Sequence, residues 1–115
     1  MIRSIGKRIE LLRIIAHPIR MRILHELLRT PQCVNDIVEF LEISQSNVSQ
    51  HLALLRQAGA VDFLSDGRTK WYYVVDPIIP DIIDVLRRDY YEDLPVPSIP
   101  QRKKHENTSA ALSRD

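Results

Sequence analysis

This chain of 115 residues lacks several features that would commit it to a particular class. It has a single cysteine, Cys33, so no internal disulfide is available, and a reducing compartment suits it. Its apolar runs are only a few residues long, so none spans a membrane. Met1-Ile2-Arg3-Ser4 has neither the apolar core nor the cleavage site of a secretory leader. Together these points lead one to expect a cytoplasmic chain. There is no internal repeat, no glycine-rich phosphate loop and no catalytic pairing, which argues against an enzyme and against a bound cofactor. Hydrophobic residues at 44% and charged residues at 27% are ordinary for one globular domain.

The net charge is only +1, yet the charge is unevenly spread. Residues 1–25 hold six basic side chains (Arg3, Lys7, Arg8, Arg13, Arg20, Arg22) against one acid, Glu10. From Ile43 to Val61 there is no carboxylate, while the acids Asp76, Asp81, Asp84, Asp89, Glu92 and Asp93 gather later. Such a chain can present one positive face.

Apolar spacing predicts five helices and a hairpin. Ile5, Ile9, Leu12 and Ile15 recur at helical intervals, with Leu11 and Ile14 widening the stripe. Pro18 ends that helix and suits the first turn of a second, which carries Ile19, Ile23, Leu24, Leu27 and Leu28 inward until Pro31 stops it. Val34, Ile37, Val38 and Leu41 mark a short third helix. Ser44 is placed to cap a fourth, with Val48, Leu52 and Leu55 facing the core and Gly59 closing it. Ala60–Leu64 and Lys70–Val75 switch to period two, Trp71, Tyr73 and Val75 sharing a face. The Asp66-Gly67 pair between them signals a hairpin turn. A fifth helix is expected from near Pro80 to about Tyr91, bearing Ile79, Ile82, Ile83, Leu86 and Tyr90. The organisation is one domain over 1–94, followed by a proline-rich, basic tail over 95–115.

Residues 33–57 thus form a helix, a tight turn at Glu42-Ile43 and a second helix, the helix–turn–helix layout that presents its second helix to the major groove. The unburied face of that helix carries Gln45, Ser46, Asn47, Ser49, Gln50 and His51. Asn and Gln can pair bidentately with adenine, and no carboxylate is present to repel phosphate. An ordinary solvated helix face would instead mix Lys with Glu. Arg56 follows on the same helix, and the hairpin adds Arg68 and Lys70 within reach of a phosphate backbone. The competing readings are a module for protein–protein contacts alone and a fragment of a larger enzyme.

These residues resemble the ArsR/SmtB family of bacterial transcriptional regulators. The resemblance rests on Ala16-His17-Pro18-Ile19-Arg20-Met21-Arg22-Ile23-Leu24 and on Ser44-Gln45-Ser46-Asn47-Val48-Ser49-Gln50-His51-Leu52. It extends through Leu55-Arg56-Gln57-Ala58-Gly59 and from Gly67-Arg68 to Trp71-Tyr72-Tyr73, covering about residues 8–91. It implies a mainly α, winged helix–turn–helix fold (α-α-α-α-β-β-α), a homodimer joined through the first and last helices, and repression at a double-stranded DNA operator relieved by an inducer. Ile5, Ile9, Leu12, Ile82 and Leu86 supply apolar surface for such a seam beyond the needs of one small core.

Departures from the family pattern are equally informative. Where many members carry a Cys-Val-Cys-Asp metal site, this chain reads Cys33-Val34-Asn35-Asp36. One thiolate per protomer is a poor basis for multi-sulfur coordination. Asp81 and Asp84 stand on the last helix, but no histidine occurs between Pro77 and Pro100 to complete the zinc site found there in other members. No metal site is therefore expected, and the inducer is not identified. Glu42 occupies a turn position where glycine is common, at some backbone cost, and Gln50 stands where arginine is frequent. His17 and His25 read as structural. Cys33, at a helix start that favours a thiolate, is a candidate for redox sensing.

Overall fold

Proline, serine and glycine set most of the element boundaries. The computed structural model describes residues 5–88 and 94–101. Helix α1 runs Ile5–Ile15 and α2 runs Pro18–Arg29, with Pro18 in the first turn, where its missing N–H costs nothing. His17 caps α2: its Nδ1 accepts from the backbone N–H groups of Ile19 (3.1 Å) and Arg20 (3.4 Å). This is the structural role expected of it. Helix α3 spans Val34–Leu41 and α4 spans Gln45–Gln57. The turn between them places Glu42 in the left-handed region at φ 59° and ψ 43°. Gly59, at φ +82°, lets the chain leave α4 towards the hairpin.

Strands β1 (Val61–Asp66) and β2 (Thr69–Val74) pair antiparallel, with Asp66 opposite Thr69. Gly67 and Arg68 are therefore the two central turn residues, and the strands extend into the five residues, 65–69, that sequence alternation leaves between them. Gly67 takes the positive φ (63°) that a turn with glycine first requires. The register sets Val61 against Val74 and Phe63 against Tyr72, and Tyr72 and Val74 pack on the core. Leu64 and Trp71 pair on the opposite face. A third, minimal strand lies outside the sequence reading. Gln32 exchanges two backbone hydrogen bonds with Tyr72 (3.1 and 2.8 Å), tying the entry to α3 to the hairpin. Its buried side-chain amide donates to Glu26 Oε2 at 2.9 Å.

Helix α5 occupies Ile78–Arg87, two residues earlier than Pro80 suggested, because a proline is tolerated anywhere in the first turn. It ends at Arg87 rather than near Tyr91, because Arg88 turns to extended backbone (φ -70°, ψ 145°); Tyr90, Tyr91 and most of the tail lie outside the described residues. Residues 94–101 carry no regular secondary structure.

One core draws on every element except β2, whose Tyr72 and Val74 pack against it. Its centre is Ile15, Ile23, Leu24, Ile37, Leu52 and Leu55, all nearly inaccessible to solvent. Leu28 does not join it: 38% of its surface is exposed, because it lies about 100° round α2 from buried Leu27. No described helix is long and apolar enough to cross a membrane.

Candidate nucleic-acid interface

Helix α4 is fixed along one face and free along the other. Val48, Leu52 and Leu55 are fully buried, and the intervening positions Gln45, Ser46, Asn47, Ser49 and Gln50 are exposed. At the N-terminus, Ser44 Oγ accepts from the Asn47 backbone N–H at 3.1 Å. This cap leaves the first turn ordered, with its positive dipole end directed outward among amide and hydroxyl side chains. Such an end attracts phosphate, while the amides can match base edges.

The hairpin completes this surface. Gln45 of α4 lines one cleft together with Arg68, Thr69 and Lys70 of the hairpin and with Cys33 and Asn35 at the start of α3. Eight of the nine side chains read from sequence as DNA contacts are exposed on α4 and the neighbouring hairpin: Gln45, Ser46, Asn47, Ser49, Gln50, Arg56, Arg68 and Lys70; His51 is half-buried. Cys33 is half-buried at the N-cap of α3, where its backbone N–H donates to Asp36 Oδ2 at 3.3 Å.

Three of the nine, Arg56, Lys70 and His51, also meet partners within the protein. Arg56 donates through Nε to Asp62 Oδ1 at 2.9 Å, and its guanidinium lies 4.6 Å from the centre of the Phe63 ring. That hydrogen bond, with another from the Phe63 backbone N–H, holds the Asp62 carboxyl below its ordinary pKa. Lys70 Nζ sits 4.7 Å from the same ring. Phe63 is thus a platform for two cations, a role that alternation alone does not reveal. His51 is half-buried and its Nδ1 accepts from Arg20 Nε at 3.3 Å. Its ring lies 5.0 Å from that of His17. Desolvation, then the proximity of His17 and Arg20, lowers its pKa and favours the neutral imidazole.

Helices α1 and α5 also expose apolar surface. Ile9 and Leu12 are 46% and 44% exposed and Leu86 is 63% exposed, with Ile5 exposed as well; Ile82 is half-buried against the core. Among the described residues no three His, Cys, Asp or Glu side chains cluster closely enough to hold a metal ion.

Comparison with known proteins agrees with this architecture. A family model described as "Bacterial regulatory protein, arsR family" matches residues 17–62. The transcriptional repressor SmtB of Mycobacterium tuberculosis is 38% identical over 74 residues, covering 64% of this chain and 55% of that protein. The match therefore spans little more than half of SmtB. The transcriptional activator HlyU of Vibrio cholerae is 35% identical over 85 residues, covering 74% of this chain and 79% of that one. The HlyU structure superposes with a TM-score of 0.69 at 34% identity, over 75% of this chain and 94% of HlyU. The structure of the transcriptional repressor PagR of Bacillus anthracis also gives 0.69, at 32% identity, over 76% of this chain and all of PagR. With its helix–turn–helix, its hairpin wing and these relatives, this chain belongs to the ArsR family of winged-helix, DNA-binding transcriptional regulators.

Proposed function

We propose that this chain is a homodimeric repressor that occupies operator DNA in the cytoplasm, with residues 1–94 as the working domain and residues 95–115 as an appended tail. Helix α4 enters the major groove, where Gln45, Asn47 and Gln50 read base edges and Ser46 and Ser49 assist. Arg68 and Lys70 of the wing hold the phosphate backbone, and Arg56 adds positive potential from the far end of α4. The observation that carries this reading is the exposed, carboxylate-free amide and hydroxyl face of α4 beside two wing cations. The apolar stripes of α1 and α5 support the dimer, whose two-fold axis would demand a roughly palindromic operator. Repression follows the names of SmtB and PagR; HlyU is named an activator, so the sign of the effect needs its own assay.

The test is a fluorescence-anisotropy titration of a duplex spanning the region upstream of the chain's own gene, against a random duplex of equal length. Tight, salt-sensitive binding that favours the upstream duplex is expected, together with reduced transcription from it in vitro. With roughly 6–10 phosphate contacts per dimer, affinity should fall by about 10³–10⁵ between about 50 and 200 mM salt. Absence of binding to both duplexes would favour the protein-contact module instead.

A further inference from the structure

Arg20 joins three helices through one planar group. Its Nη1 donates to the Ile14 carbonyl at 2.8 Å, one of the last-turn carbonyls of α1 that lack an intrahelical partner. Its Nε donates to His51 Nδ1, on α4, at 3.3 Å. Its own backbone N–H is held by the His17 cap at the start of α2. The guanidinium is rigid and its N–H directions are fixed, so the α1 carbonyl and the α4 imidazole cannot move independently while both bonds stand. His51 lies on the flank of α4, one helical turn beyond Asn47 and next to Gln50. Holding that ring therefore holds the rotation of α4 about its own axis, and with it the direction of both amides. At the other end of the link, α1 carries the exposed Ile5, Ile9 and Leu12.

We propose that Arg20 and His51 are positioning residues that set the rotation of the reading helix against α1, so that base discrimination depends on them although neither meets a base. The proposal rests on the reading of α4 as the recognition helix, and it reassigns His51 from a DNA contact to a support. A direct contact and a support make different demands on a double variant. If His51 acts through Arg20, removing both costs no more than removing one. Two independent contributions would multiply.

The experiment uses the full chain as wild type, Arg20→Met, His51→Leu, the double variant and His51→Asn, whose Oδ1 stands close to the lost Nδ1. Anisotropy is read on the upstream duplex and on the random duplex at one salt concentration, with thermal unfolding recorded for each protein. Each single variant should lose about tenfold in preference for the upstream duplex, with random-duplex affinity unchanged. The double variant should lose no more than either single one, and His51→Asn should recover most of the preference. Multiplying losses, equal losses on both duplexes, or failure of His51→Asn to recover would each overturn the proposal. If the wild type does not distinguish the duplexes, the recognition-helix reading fails, and the link is decided by imidazole ¹⁵N NMR. His51 should then hold the proton on Nε2 in the wild type and show mixed tautomers in Arg20→Met; identical populations in the two proteins overturn the link.

Discussion

Replacing Glu42 with glycine should stabilise the protein, an unusual outcome for a truncation inside a helix–turn–helix. Glu42 is exposed and sits at φ 59° and ψ 43°, where a residue with a Cβ costs about 1–2 kcal/mol. Its backbone N–H donates to the Val38 carbonyl at 2.8 Å, a bond that glycine keeps. Against the relieved strain stands the extra freedom glycine gives the unfolded chain, about 0.4–1 kcal/mol. The balance is a gain of roughly 0.5–1 kcal/mol, or about 2–6 °C in Tm for a domain of this size. Glu42→Ala, which retains the Cβ, should leave Tm within about 1–2 °C of wild type, the range of ordinary surface substitutions. Differential scanning calorimetry of the three proteins at one concentration decides, since the melting of a dimer depends on concentration. A Glu42→Gly protein no more stable than Glu42→Ala would refute the claim that this turn is strained.

Assembly should depend on the apolar stripes: Leu12→Glu or Leu86→Glu should yield folded monomers at micromolar concentration by sedimentation velocity, and a wild-type monomer with full operator affinity would remove the dimer from the account. Stoichiometric zinc, cadmium or arsenite should not release the upstream duplex, because Cys33 is the chain's only cysteine and lines a cleft with no second soft ligand. Release by an oxidant, through a Cys33 adduct placed beside Arg68 and Lys70, should vanish in Cys33→Ser; metal-driven release that survives in Cys33→Ser contradicts this reading. The lowered pKa of His51 fixes the sign of a pH effect. The folded state disfavours the proton, so the unfolded chain binds more protons and stability falls as pH drops through the ordinary imidazole range towards the folded value. Urea midpoints measured between about pH 7.5 and 5 should fall less steeply for His51→Asn than for wild type, and parallel slopes would contradict the shift.

What was legible in the sequence is what neighbouring residues decide. Pro18, Ser44 and Gly59 punctuate the helices through backbone chemistry confined to one turn, and all three act as read. The periodic positions Ile23, Ile37, Val48, Leu52 and Leu55 are buried because a stripe at helical spacing leaves few alternatives. Strand alternation ends at Leu64 and resumes at Lys70, leaving five residues between, whereas backbone pairing continues through Asp66 and Thr69 and shortens the turn to Gly67-Arg68, which only the strand register reveals. The Gln32–Tyr72 bridge, the Arg56–Asp62 pair on Phe63 and the Arg20–His51 link were not legible. Each joins residues whose meeting depends on how helices cross, and no local pattern encodes that. For the same reason His51, polar and on the open side of a helical wheel, looked like its neighbours Gln50 and Asn47. Its flank is covered by α2, and only the crossing of α2 over α4 reveals it.

The central claim is that α4 reads sequence while the wing holds backbone, and the affinities of three variants for two duplexes test it most directly. Gln45→Ala and Gln50→Ala should each reduce the preference for the upstream duplex over random DNA by about 1–3 kcal/mol, the worth of one bidentate base contact. Arg68→Ala should weaken both duplexes by similar factors and lower the salt dependence, because a phosphate contact carries no sequence information. Preference that survives both glutamine substitutions but collapses in Arg68→Ala would contradict the account and move the reading of sequence from α4 to the wing.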